Sequence, residues 1–247
     1  MTFLPTPIAI ITGSSGSIGR AMVCVFQQNG YQVIGLDKQT ADNVDYFLAV
    51  DLYEFVEKIE IRQQIFEKIS TYIGTDKKLV ALVNNAAEQR LDNTENISYT
   101  DWQATMHVNL TAPFLLIQGL LPHLIQANGA VVNIASIHYH LTKPRFVAYA
   151  TSKAALVGLT KSLAVDLAGK IRVNCISPAA IETQMLQAGF PNPEDYKKLQ
   201  AIHPVGRIGK AEEIAEITYF LCSEKARFIH GSNIEVDGGI GAVLKDL

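Results

Sequence analysis

The chain has 247 residues, of which 48% are hydrophobic and 18% are charged, and its formal net charge is −3. This composition is typical of a soluble globular protein and excludes a disordered chain, while the charge balance excludes the basic surface of a nucleic-acid-binding protein. The length is compatible with one large core, so we expect a single domain over residues 1–247.

Three patterns concern the compartment. Cys24, Cys175 and Cys222 are odd in number, far apart and set in apolar stretches, which favours reduced, buried thiols over a disulfide framework. The N-terminus has neither a basic region nor a cleavage site, so no signal peptide is expected. No apolar run approaches the roughly 20 residues that span a bilayer. These patterns predict a cytoplasmic protein that has no membrane as partner.

Short apolar runs alternate with longer segments of helical period along the chain. The runs predict strands at residues 7–12, 31–36, 46–50, 79–83, 130–135, 171–176 and 233–236. The longer segments predict helices at residues 18–29, 54–73, 100–127, 145–168 and 211–223. This alternation predicts an α/β fold, with one doubly wound, Rossmann-type parallel sheet of about seven strands and helices on both faces. Ligands of such sheets bind at the carboxyl ends of the strands.

Residues 184–204 differ from the rest, because they have weak periodicity and contain Gly189 and three prolines. We interpret them as an excursion beside the sheet and predict a lid on the substrate side. An ordinary surface connection is the alternative.

The first predicted strand runs into TGSSGSIG at residues 12–19, and a helix follows. Gly13, Gly16 and Gly19 allow a tight turn and close approach of the backbone to a pyrophosphate. The helix opening at Ile18 directs N–H groups and a positive dipole end at the anion. The loop lacks the Gly-Lys-Ser/Thr ending of a P-loop. The strand, glycine loop and helix together therefore predict a dinucleotide-binding site.

Asp37 ends the second predicted strand, 18 residues after Gly19. A carboxylate at this position can accept hydrogen bonds from ribose hydroxyls and repels a 2′-phosphate. The glycine loop has no Arg or Lys to meet an extra phosphate, although Lys38 follows Asp37. We therefore predict NAD as cofactor, in preference to NADP.

The stretch AYATSK, residues 148–153, places Tyr149 and Lys153 one helical turn apart. A free phenol has a pKa of about 10, and a neighbouring ammonium lowers it toward the range where proton exchange is efficient. Tyr149 is therefore predicted to be a general acid/base. The alternative is an exposed helical pair that only packs. Ser136 favours the catalytic role, because it follows the fifth strand at the expected edge of the site.

These segments, together with NNAA at residues 84–87, Asn109, SPAAIET at residues 177–183 and EVDGG at residues 235–239, resemble the short-chain dehydrogenase/reductase family over essentially the whole chain. The resemblance implies an NAD(H)-dependent oxidoreductase that interconverts a secondary alcohol and a carbonyl, and a homotetramer. It implies that Lys153 holds the nicotinamide ribose and that Asn109 holds a water connecting Lys153 to solvent. The catalytic set it implies is Asn109, Ser136, Tyr149 and Lys153.

The resemblance also implies which residues bind the cofactor. Ile181 and Thr183 match positions that bind the carboxamide, which with Tyr149 implies transfer of the pro-S hydride. Ala87 and Ala179 replace glycines that are usual in the family, and a positive φ at either site would make the extra methyl costly. The implied cofactor-binding residues are Gly13, Ser15, Gly16, Ser17, Ile18, Gly19, Asp37, Asp51 and Leu52 (which end the third predicted strand), Asn85, Ala86, Tyr149, Lys153, Pro178, Ile181 and Thr183.

A small molecule is the predicted substrate, with Ser136, His138 and Tyr149 as its contacts. His138 and His140 have no nearby Cys or acidic partner, so no metal site is predicted. Arg90, Lys143 and Arg145 could attract a carboxylate, and solvated surface charges are the alternative. A different class of function also stays open, namely a non-catalytic dinucleotide-binding regulatory or structural protein on the same fold.

Overall fold

Seven strands form one parallel sheet in the computed structural model, which describes residues 5–190 and 192–244. The strand order is β3-β2-β1-β4-β5-β6-β7, and every neighbouring pair is parallel. The predicted fold class is therefore confirmed. The strands are β1 (Thr6–Thr12), β2 (Gln32–Asp37), β3 (Tyr46–Ala49), β4 (Lys77–Asn84), β5 (Ala130–Ile134), β6 (Arg172–Pro178) and β7 (Asn233–Val236).

Helices cover both faces of the sheet. They are α1 (Ser17–Gln28), α2 (Leu52–Glu57), α3 (Ile59–Ile73), α4 (Tyr99–Met106), α5 (Ala112–Gln126), α6 (Val147–Asp166), α7 (Gln184–Gly189), α8 (Pro193–Ala201) and α9 (Ala211–Cys222).

Side chains alternate between the two faces along each strand, and β1 shows the pattern. Ile8 and Ile10 pack in the core beneath α2, α3, α5 and α6, whereas Ala9 and Ile11 pack in the core beneath α1 and α9. Burial on both faces explains why the strands read as nearly continuous apolar runs.

The helix predicted at residues 54–73 is divided in the structure. Lys58 has φ −111° and ψ 109°, so it ends α2 and precedes α3. The guanidinium of Arg62 donates to the carbonyl oxygens of Phe55 and Val56 at 3.2 and 3.0 Å, which satisfies the end of α2 without a continuous helix. The prediction of one helix was wrong because a tertiary contact, invisible in the periodicity, replaces the local hydrogen bonds.

The predicted helix at residues 100–127 consists of α4 and α5 joined by a π-helical turn, His107–Thr111. By length and composition, the helical stretch Tyr99–Gln126 could cross a membrane, with a mean hydropathy of 1.4 in its most apolar window. The helix reaches this value as a mean over the window, although polar side chains such as Gln118 and His123 interrupt its apolar runs. Its apolar side chains pack against the sheet, since Leu116, Leu120 and Leu124 are buried in the core.

Two further expectations need correction. Asp51 and Leu52 do not end the third strand, because β3 stops at Ala49 and the Asp51 carboxylate accepts from the Tyr53 N–H at 2.8 Å to cap α2. Cys24 is exposed on the outer side of α1, whereas Cys175 and Cys222 are buried as predicted. Residues 184–204, which were predicted as an excursion beside the sheet, contain α7 and α8; Pro191 lies outside the described residues.

Candidate active site

A cavity of about 910 Å³ lies at the carboxyl ends of β1, β2, β4, β5 and β6. It begins at the glycine loop and extends to the loop before α6 and to α7 and α8. The predicted site residues that line it are Gly13, Gly16, Ser17, Ile18, Gly19, Asp37, Asp51, Leu52, Asn85, Ala86, Ser136, His138, Tyr149, Lys153, Pro178, Ile181 and Thr183. Ser15 and Asn109 are not among the lining residues.

The glycine loop forms a cradle whose close packing leaves no room for side chains at two of its glycines. Gly13 has φ +67°, and a Cβ there would lie 2.9 Å from the Cα of Ala86. A Cβ on Gly19 would lie 2.0 Å from the carbonyl oxygen of Gly13. Gly16 precedes α1 and offers no side chain to cap it, and the first turn of α1 contains no acidic residue. The cradle at the positive end of this helix dipole therefore fits a pyrophosphate.

Asp37 is fixed at the end of β2 by the backbone. Its two carboxylate oxygens accept from the N–H groups of Ser15 and Gln39 at 2.9 and 3.0 Å. The Ser15 hydroxyl donates to the carbonyl oxygen of Gln39 at 2.6 Å, so Ser15 closes the loop and does not face the cavity. These bonds leave one lone-pair side of each carboxylate oxygen for ribose hydroxyls.

The residues after β4 have two different tasks. The Asn85 amide donates to the carbonyl oxygens of Thr12 and Gly13 at 3.0 and 3.1 Å, which ties β4 to the glycine loop. Asn84 is buried and donates to Asn133 Oδ1 at 2.8 Å within the sheet. Asn84 therefore has a structural role within the sheet.

Tyr149, Lys153 and Ser136 meet at the end of β5. Lys153 is 2% exposed, its Nζ donates to the carbonyl oxygen of Ile134 at 2.7 Å, and it lies 5.6 Å from the centroid of the Tyr149 ring. Ser136 is 8% exposed, and its hydroxyl lies near enough to the Tyr149 hydroxyl to lower the pKa of that phenol. The residue spacing thus brings a phenol, an ammonium and an aliphatic hydroxyl to one place.

Burial controls the titration of this pair. It raises the pKa of Tyr149 to about 12, with the hydrogen bond from Ser136 acting in the opposite direction. Burial also lowers the pKa of Lys153 to about 8, opposed by the nearby Cys175 thiol. The predicted lowering of the Tyr149 pKa by Lys153 is thus not found among the protein's own groups, because the ammonium bonds Ile134 and desolvation of the phenol prevails.

Asn109 lies behind the cavity, in the π-helical turn. Its amide donates to the Glu88 carbonyl oxygen and to Ser152 Oγ, each at 2.9 Å, and its Oδ1 accepts from the Glu88 N–H at 2.7 Å. The side chain therefore connects the loop after β4 to α6, the helix that carries Tyr149.

The far wall begins after β6. The Thr183 hydroxyl oxygen accepts from the Leu186 N–H at 3.1 Å to cap α7, and its proton stays available to a ligand. Ala87 and Ala179 also line the cavity. Neither has a positive φ, since the described non-glycine residues with that conformation are Asn128 and Arg145. The two departures from the family pattern therefore need no left-handed backbone.

Two histidines border the substrate side. Nδ1 of His138 donates to the Leu141 carbonyl oxygen at 3.0 Å, and Nδ1 of His203 donates to that of Leu199 at 2.8 Å. Burial lowers the pKa of His138. His203 is 3% exposed, and its Nε2 has no hydrogen-bond partner within the described part of the chain.

His203 was not among the site residues predicted from the sequence. The available signal was its place as the one histidine of residues 184–204. Within the described ranges, no group of three or more His, Cys, Asp or Glu residues is placed to hold a metal ion.

A doubly wound sheet whose switch-point cavity joins a glycine cradle to a serine, tyrosine and lysine defines a dinucleotide-dependent oxidoreductase. The sequence profile of the family described as Enoyl-(Acyl carrier protein) reductase matches residues 13–241. The 3-oxoacyl-[acyl-carrier-protein] reductase FabG of Thermotoga maritima is 35% identical over 94% of this chain and 97% of its own. The chain belongs to the short-chain dehydrogenase/reductase family.

Solved structures agree with this assignment. The ligand-free aldohexose dehydrogenase of Thermoplasma acidophilum has a TM-score of 0.89 at 30% identity, covering 99% of this chain and 97% of its own. A 4-hydroxyisoleucine dehydrogenase complexed with NADH has a TM-score of 0.87 at 28% identity, covering 97% of this chain and 100% of its own. A structure described as a gluconate 5-dehydrogenase from Beutenbergia cavernae, with a TM-score of 0.86 at 27% identity over 97% of this chain and 98% of its own, contains NADP at low occupancy. A nicotinamide dinucleotide is therefore the cofactor type.

Proposed function

We propose that the protein is an NAD(H)-dependent oxidoreductase that interconverts a secondary alcohol and a carbonyl compound, with Tyr149 as general acid/base. The observation that carries this proposal is the meeting of Tyr149, Ser136 and Lys153 in the cavity that also holds the glycine cradle. A protein that only binds dinucleotides would need the cradle and not the hydroxyl pair.

Each reacting side chain has a task that its surroundings support. When bound, the nicotinamide ring supplies or accepts the hydride. The Ser136 hydroxyl positions the substrate oxygen, and Tyr149 donates a proton to that oxygen during reduction and accepts it during oxidation. Lys153 supplies positive charge beside the phenol, and its Nζ is oriented by the Ile134 carbonyl. Because burial holds the pKa of Tyr149 at about 12, the phenol is protonated at neutral pH and ready to donate.

The proposal is tested by screening secondary alcohols, sugars and ketones with NAD and NADH while following absorbance of the reduced cofactor. Tyr149→Phe is expected to lower kcat by at least about 100-fold, the usual contribution of a general acid/base, and to leave NADH binding nearly unchanged. Turnover that persists in Tyr149→Phe would remove the residue from this role. NADH binding without turnover of any compound would favour the non-catalytic alternative.

We infer that NAD is preferred to NADP. The support is the Asp37 carboxylate, which the Ser15 and Gln39 N–H groups hold at the cavity wall and which would repel a 2′-phosphate. The family as a whole does not decide this point, since solved relatives contain either cofactor.

We also infer that residues 184–204 act as a lid on the substrate side of a single domain. The support is that Leu186 and Phe190, in and just after α7, and Leu199 and Ile202, in and just after α8, line the same cavity as Ser136. Closure of such a segment would exclude water from the reacting groups.

A homotetramer in the cytoplasm is our proposal for assembly and compartment. Val165 and Phe228 are exposed apolar side chains, and β7 is an edge strand whose free side could be covered by another subunit. The apolar strand and tail at residues 233–247 suit such an interface, and the part of them beyond residue 244 lies outside the described residues. Free thiols at Cys175 and Cys222 fit a reducing compartment.

A further inference from the structure

The substrate side of the cavity carries positive charge that the protein does not neutralise. Lys143 and Arg145 both line it, in the loop before α6. Neither belongs to any ion pair found among the described residues. Arg90, the third cation considered from the sequence, is different, because its Nε lies 2.8 Å from a Glu88 carboxylate oxygen.

The acidic residues of the cavity wall are already engaged elsewhere. Asp37 accepts from two backbone N–H groups, and Asp51 caps α2. Glu88 pairs with Arg90 and lies 3.8 Å from the ammonium of Lys38. The cavity therefore offers Lys143 no carboxylate from the protein.

Aromatic rings from two walls position the Lys143 ammonium. Its Nζ lies 4.5 Å from the centroid of Phe146, at the start of α6, and 5.7 Å from that of Phe190, at the end of α7. Lys143 is an exposed residue, and partial burial of its ammonium lowers its pKa. Three N–H donors held between apolar rings suit a small anion better than a neutral ketone.

We propose that Lys143 is the specificity-determining residue of this site and binds the carboxylate of the substrate, which is a hydroxy acid or the corresponding oxo acid. This inference rests on the proposed function. The substrate's alcohol or carbonyl oxygen lies at Ser136 and Tyr149, and its carboxylate lies at Lys143 beneath α7. Arg145 adds positive potential at the mouth, where its guanidinium donates to the Leu91 carbonyl oxygen at 3.3 Å.

The inference is tested with oxo acids of increasing length, because the chain length must match the span from Tyr149 to Lys143. Acetoacetate, 4-oxopentanoate and 5-oxohexanoate are compared with their methyl esters as substrates for NADH oxidation. We expect at least one acid to exceed its ester about tenfold or more in kcat/KM, as a charge-assisted hydrogen bond provides. Lys143→Gln should remove this difference mainly by raising KM for the acid, while the ester is unaffected.

Lys161→Gln is the matched control, since Lys161 is an exposed lysine on the outer part of α6 and the substitution removes the same charge. It should leave the acid-to-ester ratio unchanged. Esters reduced as well as acids, or a ratio unaltered by Lys143→Gln, would overturn the inference and leave the oxidoreductase proposal standing.

A binding measurement separates failure of the inference from failure of the proposed function. Succinate is titrated calorimetrically into the protein with saturating NADH. We expect Lys143→Gln to weaken succinate binding about tenfold or more and Lys161→Gln to leave it unchanged. Equal binding by both variants, or none by the wild type, would contradict the carboxylate site. If no ketone of any kind is reduced, the proposed function fails while the titration still decides on Lys143.

Discussion

At the scale of single residues, the proposed preference for NAD depends on the Asp37 carboxylate and on the backbone groups that hold it. Its carboxylate is oriented by two backbone N–H groups before any ligand binds. Preorganisation of this kind makes the negative charge unable to move away from an added phosphate, so repulsion at the 2′ position is fully expressed.

We therefore expect Asp37→Ala to lower the ratio of kcat/KM for NAD to that for NADP by about 10- to 100-fold, since it removes charged hydrogen bonds to ribose and a like charge. Asp37→Asn keeps an acceptor oxygen and should give a smaller change. Asp42→Ala, an exposed aspartate, is the control. A wild type that already prefers NADP would contradict the proposed cofactor.

At the scale of elements, the glycine loop and α1 form one unit through backbone packing. Gly19 and Gly16 belong to the same motif, but Gly19 is buried and Gly16 is exposed. An added Cβ would lie 2.0 Å from the Gly13 carbonyl oxygen at Gly19, and 3.5 Å from the same atom at Gly16. The first distance requires the backbone to move, and the second is an ordinary contact.

This difference predicts that two alanine substitutions have different effects on stability. Gly19→Ala should lower the free energy of unfolding by about 1–3 kcal/mol, the usual range for overpacking, and weaken NADH binding as well. Gly16→Ala should unfold at nearly the wild-type denaturant concentration and weaken only NADH binding, because its methyl enters the cradle. Urea unfolding and NADH fluorescence titration measure the two effects. Equal stabilities of the two variants would contradict the packing argument.

Sequence periodicity and motif spacing were enough for the sheet and for the pairing of Tyr149 with Lys153, because both depend on local repeats of two and 3.6 residues. They were not enough where a distant partner changes local structure. The break at Lys58 depends on Arg62 reaching back to two carbonyls. The π-helical turn places Asn109 against the backbone of Glu88, and the pattern of neighbouring residues did not predict this turn.

At the scale of the whole molecule, the buried ammonium of Lys153 makes the free energy of unfolding depend on pH. Lys153 is almost fully buried, and burial lowers its pKa from 10.5 to about 8. Between these two values the unfolded chain binds more protons than the folded protein, so the free energy of unfolding rises with pH. Below pH 8 both states are protonated, and the folded state bears the cost of a desolvated charge.

We therefore expect wild type to gain stability relative to Lys153→Met as the pH rises from 8 to 10.5, by on the order of 3 kcal/mol at most, since one pKa unit corresponds to about 1.4 kcal/mol. Urea unfolding of both proteins at pH 7, 8.5 and 10 measures the difference. Tyr149 is present in both, so its own ionisation cancels. A constant difference over this range would show that Lys153 is not desolvated as the structure has it.

The order of the site residues along the chain has a consequence for how the protein is synthesised. Much of the proposed dinucleotide site, from Gly13 through Asp37 to Ala86, is encoded in about the first third of the chain. Ser136, Tyr149 and Lys153 follow much later. The ribosome therefore releases strands β1 to β4, which carry that part of the site, before it has synthesised Ser136, Tyr149 or Lys153.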